Sequence, residues 1–372
     1  MSLVILHVHS GNLYGGIETV MATLAREGAG ERAVHHFALC FDGRLADELE
    51  RLDTPVHPLA AVRLSRPDSV RSARAALRRV IAQVGPDAIV THLPWTQAVF
   101  GRTLKRTGRP LVQWVHGTLE GVVGSLARLT LPDAVICNSA HTLARLPAAY
   151  RARPAEVIFN PLSAPPPYDA AARARTRAAL DTAPADVAIV QASRFETWKG
   201  HREHIRALAR LGDVPNWVLW IVGGAQRPRE AAYVRELQEL SRSLGLDGRV
   251  RFTGEQSEVS RFLASADVYC QPNTGPEPFG MTYVEAMQAG LPVIASDAGA
   301  LPEIVDARTG VLVPPGDIAR LADALGGLVT DAPRRRQLAS GAPARARSLC
   351  DPVRQVQRVA GFLETLSCRS AV

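Results

Sequence analysis

The chain has 372 residues, of which 47% are hydrophobic and 21% are charged, and its formal net charge is +7. The length exceeds what one hydrophobic core usually supports and the composition is that of a globular protein, so two domains are expected and a disordered chain is excluded. The positive charge suits anionic ligands in general, and the sequence contains no nucleic-acid-binding motif.

The five cysteines are scattered and form no C-x-x-C pair, which predicts reduced thiols in a cytoplasmic protein. The N-terminal "MSLVILHVHS" has a short apolar start without a basic region, so we interpret it as a strand rather than a signal peptide. No apolar run approaches the roughly 18 residues that a membrane-spanning helix needs.

The first half of the chain alternates strands and helices. "LVILHVH" is a buried strand, "GNLYGG" is a glycine-rich turn that contains Gly15 and Gly16, and "IETVMATLAREG" is a helix. Further strands are "VHHFALCFD", "DAIVTHL", "PLVQWVHG" and "AVICNS". This alternation predicts an α/β domain over residues 1–164 with a doubly wound parallel sheet.

The alternation weakens at "NPLSAPPPYDAAARART", where Pro161 and Pro165–Pro167 predict a stiff linker. It then restarts, which predicts a second doubly wound α/β domain over 170–350. Ligands of open parallel sheets bind beyond the carboxyl ends of the strands, so we expect the loops "GNLYGG", "HGTLEG", "SRFETWKG" and "TGPEPFG" to line a cleft between the domains.

In "TGPEPFGMTYVEAMQAG" a helix is predicted to begin near Gly280 and to end at Gly290. The free N–H groups of its first turn and its positive dipole end favour an anion. Glu277 precedes the helix and is predicted to accept hydrogen bonds from hydroxyls beside that anion, and Glu285 from a second pair of hydroxyls. A ligand with a polyol at each end and phosphates between them is a nucleotide sugar. Glutamates that merely complement the helix dipole are the alternative.

The loop "SRFETWKG" supplies two cations, Arg194 and Lys199, directly after a strand. A guanidinium and an ammonium there would neutralise a diphosphate, and two solvated loop charges are the alternative. Only two of the 43 basic residues are lysines, Lys105 and Lys199, so the ammonium at Lys199 stands out.

Other residues give weaker signals. The amides of "GNLYGG" suit a phosphate, but its glycines do not form G-x-G-x-x-G, so a nicotinamide-binding protein stays only as a poor alternative. His116 follows a strand, and both a structural role and contact with a donor sugar are open. The pairs His7/His9 and His201/His204 lack a third ligand, so we predict no metal site.

The basic stretch "VRLSRPDSVRSARAALRR" is partly amphipathic. We interpret it as a solvated arginine face, and contact with an anionic membrane that carries a lipid acceptor is the alternative.

Together "SRFETWKG" and "PEPFGMTYVEAMQAGLPVIASDAGALPEIV" resemble the retaining glycosyltransferases of family 4, and the two glutamates with the inner Phe-Gly are the most specific mark. The resemblance implies the GT-B fold, two Rossmann-like domains with the donor held mainly by the C-terminal one. It also implies that the last helix, within 352–372, packs back on the N-terminal domain.

By this resemblance the diphosphate lies at Arg194 and Lys199, the donor sugar hydroxyls at Glu277 and the ribose hydroxyls at Glu285. The remaining implied contacts are Gly15 and Gly16 with the phosphate, His116 with the transferred sugar, the backbone of Phe279, Gly280, Met281 and Thr282 with sugar and phosphate, and Thr253 and Gly254 with the base. "FNPLS" departs from the Asn-Gly pair that many members carry after the proline, which leaves the role of Asn160 open.

The expected reaction is transfer of a sugar, with retention, from a nucleoside-diphosphate sugar to an acceptor hydroxyl, and a UDP-sugar is the favoured donor. No cofactor is expected, because the two cations and the helix end replace a metal and the chain has no Asp-x-Asp. A nucleotide-sugar epimerase, a non-catalytic nucleotide-sugar-binding protein and a dinucleotide oxidoreductase are the alternatives. The sequence leaves the acceptor and the oligomeric state open.

Overall fold

The computed structural model of the protein describes residues 2–11, 15–28 and 32–370, with the side chains of 368–370 left out. The chain divides into two compact units. Unit 1 comprises Met1–Ser163 and Cys350–Val372, and unit 2 comprises Ala164–Leu349. The first boundary falls within the proline-rich segment, as is usual for a connection between domains.

Unit 1 is built on a parallel sheet that has seven strands among the described residues, in the order β3-β2-β1-β4-β5-β6-β7. The strands are β1 (Leu3–His9), β2 (Ala33–Leu39), β3 (Val56–Pro58), β4 (Ala88–Thr91), β5 (Leu111–Val115), β6 (Ala134–Cys137) and β7 (Ala155–Val157). The central strands are buried along almost their whole length, because helices cover both faces of a doubly wound sheet. The strand order reverses between β1 and β4.

The helices of unit 1 before the linker are α1 (Gly16–Glu27), α2 (Arg44–Arg51), α3 (Pro67–Val84), α4 (Pro94–Lys105), α5 (Gly121–Ala127), α6 (Ala140–Ala144) and α7 (Ala148–Arg151). The sequence determines the ends of α3 well. Pro67 occupies its first turn, where no N–H is needed, and Gly85 ends it with a left-handed φ of 59°. Its apolar face buries Ala73, Leu77, Val80 and Ile81 in the core beside β1 and β4.

Unit 2 repeats the arrangement with a six-stranded parallel sheet in the order β10-β9-β8-β11-β12-β13 among the described residues. The strands are β8 (Val187–Ala192), β9 (Trp217–Val222), β10 (Val250–Phe252), β11 (Val268–Gln271), β12 (Val293–Ser296) and β13 (Gly310–Val313). The helices are α8 (Ala170–Ala179), α9 (His201–Ala209), α10 (Pro228–Ser243), α11 (Val259–Ser265), α12 (Met281–Gln288), α13 (Leu301–Ile304), α14 (Ile318–Thr330) and α15 (Ala332–Cys350).

The strand order of unit 2 reverses between β8 and β11, which are hydrogen-bonded neighbours. The loops that leave the carboxyl ends of these two strands therefore diverge and leave a crevice, the usual ligand position in an open parallel sheet. The loop after β8 contains Arg194 and Lys199, and the loop after β11 contains Glu277 and Gly280. The fold thus brings together two loops that are about eighty residues apart in the sequence.

The last helix, α16 (Pro352–Ser370), belongs to unit 1 and packs against α1. Its Arg358 donates hydrogen bonds to the Glu156 carboxylate at 2.9 Å and to the Val157 carbonyl at 2.8 Å, and its Val359 and Leu363 are fully buried. Within the described part of the chain, none of the helices combines the length and the apolar character that a membrane crossing requires.

Candidate functional site

The two loops of unit 2 touch directly because Gly200, at their point of contact, has no side chain. Gly200 has a left-handed φ of 76°, and a Cβ on it would overlap the carbonyl oxygen of Pro272. The loops are also joined by a hydrogen bond from the Thr274 N–H to the Trp198 carbonyl at 2.8 Å. A short 3₁₀ turn, Thr197–Lys199, then carries Lys199 to the edge of the crevice. This close approach positions the lysine over the loop that follows β11.

Lys199 and Glu277 form an ion pair, with 2.7 Å between Nζ and Oε2. The two side chains are only 12% and 10% exposed. The Lys199 ammonium also lies 4.0 Å from the centre of the Trp198 ring, which favours a cation over its face. From their sequence motifs, these two residues are predicted to contact different parts of a ligand. The structure shows that each also neutralises the other, which a buried charge needs.

A buried row of polar side chains holds Glu277 from the other side. Asn273 donates to Glu277 Oε2 at 2.8 Å, Gln271 donates to Asn273 Oδ1 at 2.9 Å, and Tyr269 donates to Gln271 Oε1 at 2.9 Å. Sequence reasoning missed these three residues. Their alternate spacing along and just beyond β11 was the available signal, because alternate residues of a strand share a face. Together with Lys199, the row gives Glu277 Oε2 two donors and a fixed orientation.

The backbone of Glu277 is fixed as well. It forms an isolated parallel bridge with Gly299, and its carbonyl accepts a hydrogen bond from the Ala300 N–H at 2.8 Å. A Cβ on Gly299 would overlap the Glu277 backbone, so a glycine is required there. The loop before α12 is therefore anchored through both its side chain and its main chain.

The N-terminus of α12 begins at Gly280, which caps the helix with a left-handed φ of 97°. The first backbone N–H groups of the helix, at Met281 and Thr282, have no hydrogen-bond partner among the residues that the structure describes. Phe279 is buried and anchors the turn. The exposed N–H groups and the helix dipole make this end suited to an anion.

Glu285 lies one turn further along α12 and is partly buried. Burial raises the pKa of its carboxyl to about 7. Its side chain accepts no hydrogen bond from any described residue. The charges of Glu277 and Glu285 both contribute to raising the pKa of Tyr269, after the larger effect of burial, so both carboxyls lie near that side chain. Glu285 is thus an acceptor without a donor.

Arg194 lies at the exposed rim of the same loop as Lys199. Its side chain is 53% exposed, and its guanidinium lies 3.2 Å from a buried oxygen of Glu196, which sequence reasoning did not single out. Thr253 and Gly254 follow β10, and a hydrogen bond from the Gly223 N–H to the Gly254 carbonyl at 3.2 Å joins this turn to the end of β9. These residues share the sheet edge with Lys199, but no described contact joins them to it.

The candidates in unit 1 are Gly15, Gly16 and His116. Gly15 caps α1 in an extended conformation, and Gly16 is its first residue. The rest of the predicted turn, 12–14, lies outside the described residues. His116 follows β5, and burial, the largest cause, lowers its pKa to about 3. The ring is therefore neutral at physiological pH.

The two histidine pairs considered as metal ligands are packed in the interior. His201 contacts Ser193 at 3.1 Å and His204 contacts Gln191 at 2.8 Å. Across residues 2–11, 15–28 and 32–370, no group of three or more His, Cys, Asp or Glu side chains is arranged to hold a metal ion.

Two family models match the chain. "Glycosyl transferases group 1" matches residues 173–345, and "Glycosyltransferase Family 4" matches residues 14–164. Together they cover most of both units.

Curated relatives and solved structures agree with this match. A D-inositol 3-phosphate glycosyltransferase of Nocardioides sp. is 31% identical over 74% of this chain and 67% of its own length. A GDP-mannose-dependent phosphatidylinositol monomannoside mannosyltransferase of Mycolicibacterium smegmatis is 33% identical over 64% of this chain and 65% of its own. The crystal structure of Anabaena HepE with UDP and glucose superposes with a TM-score of 0.83, at 27% identity and with 97% and 99% of the two chains covered.

The chain spans between 30% and 67% of the length of the curated relatives that it matches. The two parallel-sheet units, the paired loops of unit 2 and these similarities lead to one conclusion. The protein belongs to glycosyltransferase family 4, among the group 1 glycosyltransferases, and has the GT-B fold.

Proposed function

We propose that this protein is a retaining glycosyltransferase that moves a sugar from a nucleoside-diphosphate sugar to an acceptor hydroxyl without a metal ion. The observation that carries the proposal is the Lys199–Glu277 pair at 2.7 Å beside the open N-terminus of α12. It places a cation and amide donors, which suit a diphosphate, next to a carboxylate that suits hydroxyls. Family membership disfavours the dinucleotide oxidoreductase.

The charge that develops during the reaction explains these positions. Cleavage of the bond between the anomeric carbon and the phosphate leaves a nucleoside diphosphate anion and a sugar with oxocarbenium character. Lys199, Arg194 and the N–H groups of Met281 and Thr282 would stabilise that anion, a role that a metal ion has in other enzymes.

Retention of configuration is proposed to follow from attack on the leaving-group face, with a phosphate oxygen taking the proton of the acceptor hydroxyl. The main alternative is a covalent intermediate on Glu277. Its Oε2 already accepts hydrogen bonds from Lys199 and Asn273, which lowers the nucleophilicity of the carboxylate. The contacts of Glu277 therefore favour binding of donor sugar hydroxyls over covalent attack.

The favoured donor is a UDP-sugar. This choice is supported by HepE, whose crystal structures contain UDP or UDP-glucose, whereas the mycobacterial relative is named for GDP-mannose. We place the ribose at Glu285, because this acceptor has no donor among the described residues, and the base near Thr253 and Gly254. The roles of Gly15, Gly16 and His116 towards phosphate and sugar remain predictions.

The acceptor is unidentified, and we propose a cytoplasmic location with peripheral membrane contact only where the acceptor is a lipid. Arg71, Arg78 and Arg79 of α3 are exposed, which fits a solvated face as well as contact with an anionic surface. Sedimentation with vesicles of neutral or anionic lipid distinguishes the two: binding to anionic vesicles alone, lost in Arg78→Glu/Arg79→Glu, supports membrane contact.

The proposal is tested by incubating the protein with UDP-, GDP-, ADP- and dTDP-sugars in the presence of EDTA and detecting the released nucleotide and the configuration of the free or transferred sugar. We expect slow release of UDP that EDTA does not reduce, with a retained anomer. An epimerised donor with no released nucleotide would indicate the epimerase. Tight binding with neither product, also after addition of acceptor extracts, would indicate a non-catalytic binding protein.

A further inference from the structure

Four histidines of unit 1 form one hydrogen-bonded row. His35 Nδ1 lies 2.8 Å from His7 Nε2, His7 Nδ1 lies 2.8 Å from His92 Nε2, and His92 Nδ1 lies 3.2 Å from His116 Nε2. His35 is on β2, His7 is on β1, and His92 and His116 directly follow β4 and β5. These strands are consecutive in the sheet order, so the row crosses four neighbouring strands and ends at His116.

All four imidazoles are kept neutral. His7, His35 and His92 are buried, with exposures of 0%, 4% and 0%. Burial is the largest cause that lowers the pKa of each ring: well below the usual value for His7 and His92, to about 4 for His35 and to about 3 for His116. A neutral imidazole has one N–H donor and one acceptor nitrogen. The three contacts therefore all run in the same direction, and only two arrangements of protons exist for the whole row.

The His35 end of the row favours one of them. Its Nε2 is buried and has no hydrogen-bond partner in the described part of the chain. The backbone of Gly28 covers it, since a Cβ on that glycine would lie 2.6 Å from the nitrogen. A buried N–H without an acceptor is rarer in proteins than an acceptor without a donor. This end therefore favours the His35 tautomer in which Nε2 is unprotonated and Nδ1 carries the proton.

The His116 end favours the same arrangement. Its Nδ1 is buried, and the side chain of Asn160 lies close enough to the ring to act to raise its pKa. The Oδ1 of Asn160 is also buried, and neither this oxygen nor His116 Nδ1 has a hydrogen-bond partner in the described part of the chain. A proton on Nδ1 would face an acceptor that lacks a donor, so this end favours a His116 ring that carries its proton on Nδ1 and accepts from His92 at Nε2.

We propose that His35, His7 and His92 are positioning residues that hold His116 as the neutral tautomer with its proton on Nδ1. In this state Nε2 of His116 is occupied by His92 and Nδ1 carries a proton. His116 is then a hydrogen-bond donor and neither a general base nor a metal ligand. The further step, in which the Nδ1–H group of His116 is shared between Asn160 and a hydroxyl of the transferred sugar, rests on the proposed function. The tautomer itself does not.

The tautomers are measured directly by NMR on protein labelled with ¹⁵N in histidine only. Two-bond and three-bond correlations between the carbon-bound ring protons and the ring nitrogens distinguish Nδ1–H from Nε2–H. We expect the Nδ1–H pattern for all four rings in the unmodified protein. An Nε2–H pattern for any ring of the row, or a mixture of both at His116, overturns the proposal, and this measurement needs no variant.

The coupling along the row is tested with His92→Phe, which keeps an aromatic ring but removes the donor to His116 Nε2. We expect the His116 ring to show a mixture of tautomers in this variant. The matched control is His36→Phe, because His36 pairs with His57 at 3.0 Å outside the row. The control should leave all four patterns unchanged. An unchanged His116 in His92→Phe would overturn the positioning role.

Activity provides a separate measurement once a donor is known. We expect His92→Phe to lower kcat by about 10-fold with little change in KM for the donor, as for the loss of a positioned group. If no sugar nucleotide is turned over by the unmodified protein, the proposed function fails while the NMR result still decides the tautomer.

Discussion

Lys199 Nζ lies 2.7 Å from Glu277 Oε2, in a crevice where both side chains are nearly buried. A cation and an anion that are expected to bind opposite kinds of ligand group therefore form a pair with each other. Under the proposed function, a diphosphate would share the ammonium with Glu277, and the carboxylate would accept from sugar hydroxyls in exchange. Both charges would then stay paired on binding, which avoids the cost of a buried lone charge.

Lys199→Ala is expected to reduce sugar transfer by about 100-fold or more, because it removes a cation from the leaving diphosphate and leaves Glu277 repelling that diphosphate. Initial rates of nucleotide release measure this effect, and circular dichroism verifies the fold. Some loss of stability should accompany it, since among the described residues the Glu277 side chain then retains only Asn273 as a donor.

The only other lysine supplies the control. Lys105 is on α4, pairs with Asp133, and its side chain is 41% exposed. Lys105→Ala should leave the rate within about 2-fold, since pairs at exposed sites contribute little. Equal losses in the two variants would contradict the role assigned to Lys199.

Asn273→Asp tests the buried row that orients Glu277. The substitution keeps the shape but replaces the amide donor by a second carboxylate, 2.8 Å from Glu277 Oε2. Two such carboxylates cannot both ionise easily, so one pKa should rise. We expect transfer to fall by about 10-fold or more at neutral pH and to recover partly as the pH is lowered, because a shared proton replaces the lost donor.

The control for this change is Asn216→Asp. Asn216 is exposed in a turn with a φ of 59°, a conformation that Asp also tolerates. Its pH profile should match that of the unmodified protein. If the transfer rate of Asn273→Asp, divided by that of the unmodified protein, does not change with pH, then Asn273 does not control the hydrogen bonding and protonation of Glu277.

The sequence predicted two doubly wound α/β units correctly, because strand burial and helix amphipathicity are local patterns that alternate regularly. The GT-B fold was predicted from the resemblance to a family, and it is confirmed. The start of α12 at Gly280 could likewise be predicted from local sequence, since glycine caps and free N–H groups are properties of the helix end itself. These features predict an anion site at the start of α12 without knowledge of the tertiary contacts.

The contacts between side chains within the site could not be predicted from local sequence. Lys199 and Glu277 are separated by 78 positions, and their contact depends on β8 and β11 being neighbours. The histidine row is a stronger case, because its members become adjacent only through the order β2-β1-β4-β5. Sequence spacing does not reveal strand order, so the sequence singled out His116 as a candidate and His7 only as half of a possible metal pair, and it did not connect either of them with His35 or His92.

Glu285 should release a proton when UDP binds. Burial raises its pKa to about 7, so the carboxyl is partly protonated at neutral pH. Ribose hydroxyls would donate to the carboxylate form and lower that pKa. Calorimetry at about pH 7 in buffers of different ionisation enthalpy should show proton release for the unmodified protein, less release for Glu285→Gln, and weaker UDP affinity for the variant. Equal release in both would remove the ribose assignment.

The same group should affect stability in the absence of ligand. Its pKa is higher in the folded state than the ~4.3 of an unfolded chain, so the folded state binds more protons between these values. The stability that it contributes is therefore fully present below about pH 4 and is lost as the pH rises through about 7. The melting temperature of the unmodified protein, relative to Glu285→Gln, should decline over that range. A constant difference would show that the carboxyl is not perturbed.

Gly200→Ala should destabilise unit 2 and impair transfer together. The new Cβ would overlap the Pro272 carbonyl oxygen, and the backbone at φ 76° disfavours any side chain. We expect a loss of at least about 2 kcal/mol, because the two loops must separate. The loss would lower the melting temperature by about 2–4 °C per kcal/mol for a unit of this size.

Gly290→Ala distinguishes the effect of steric overlap from the effect of the left-handed backbone. Gly290 has a similar φ of 78°, but no atom lies within 4 Å of the position of its Cβ. The cost there should be only the conformational one, about 1 kcal/mol, with transfer retained. If Gly200→Ala proves no more harmful than Gly290→Ala, then the loops can move apart freely, and contact between them does not position Lys199 over Glu277.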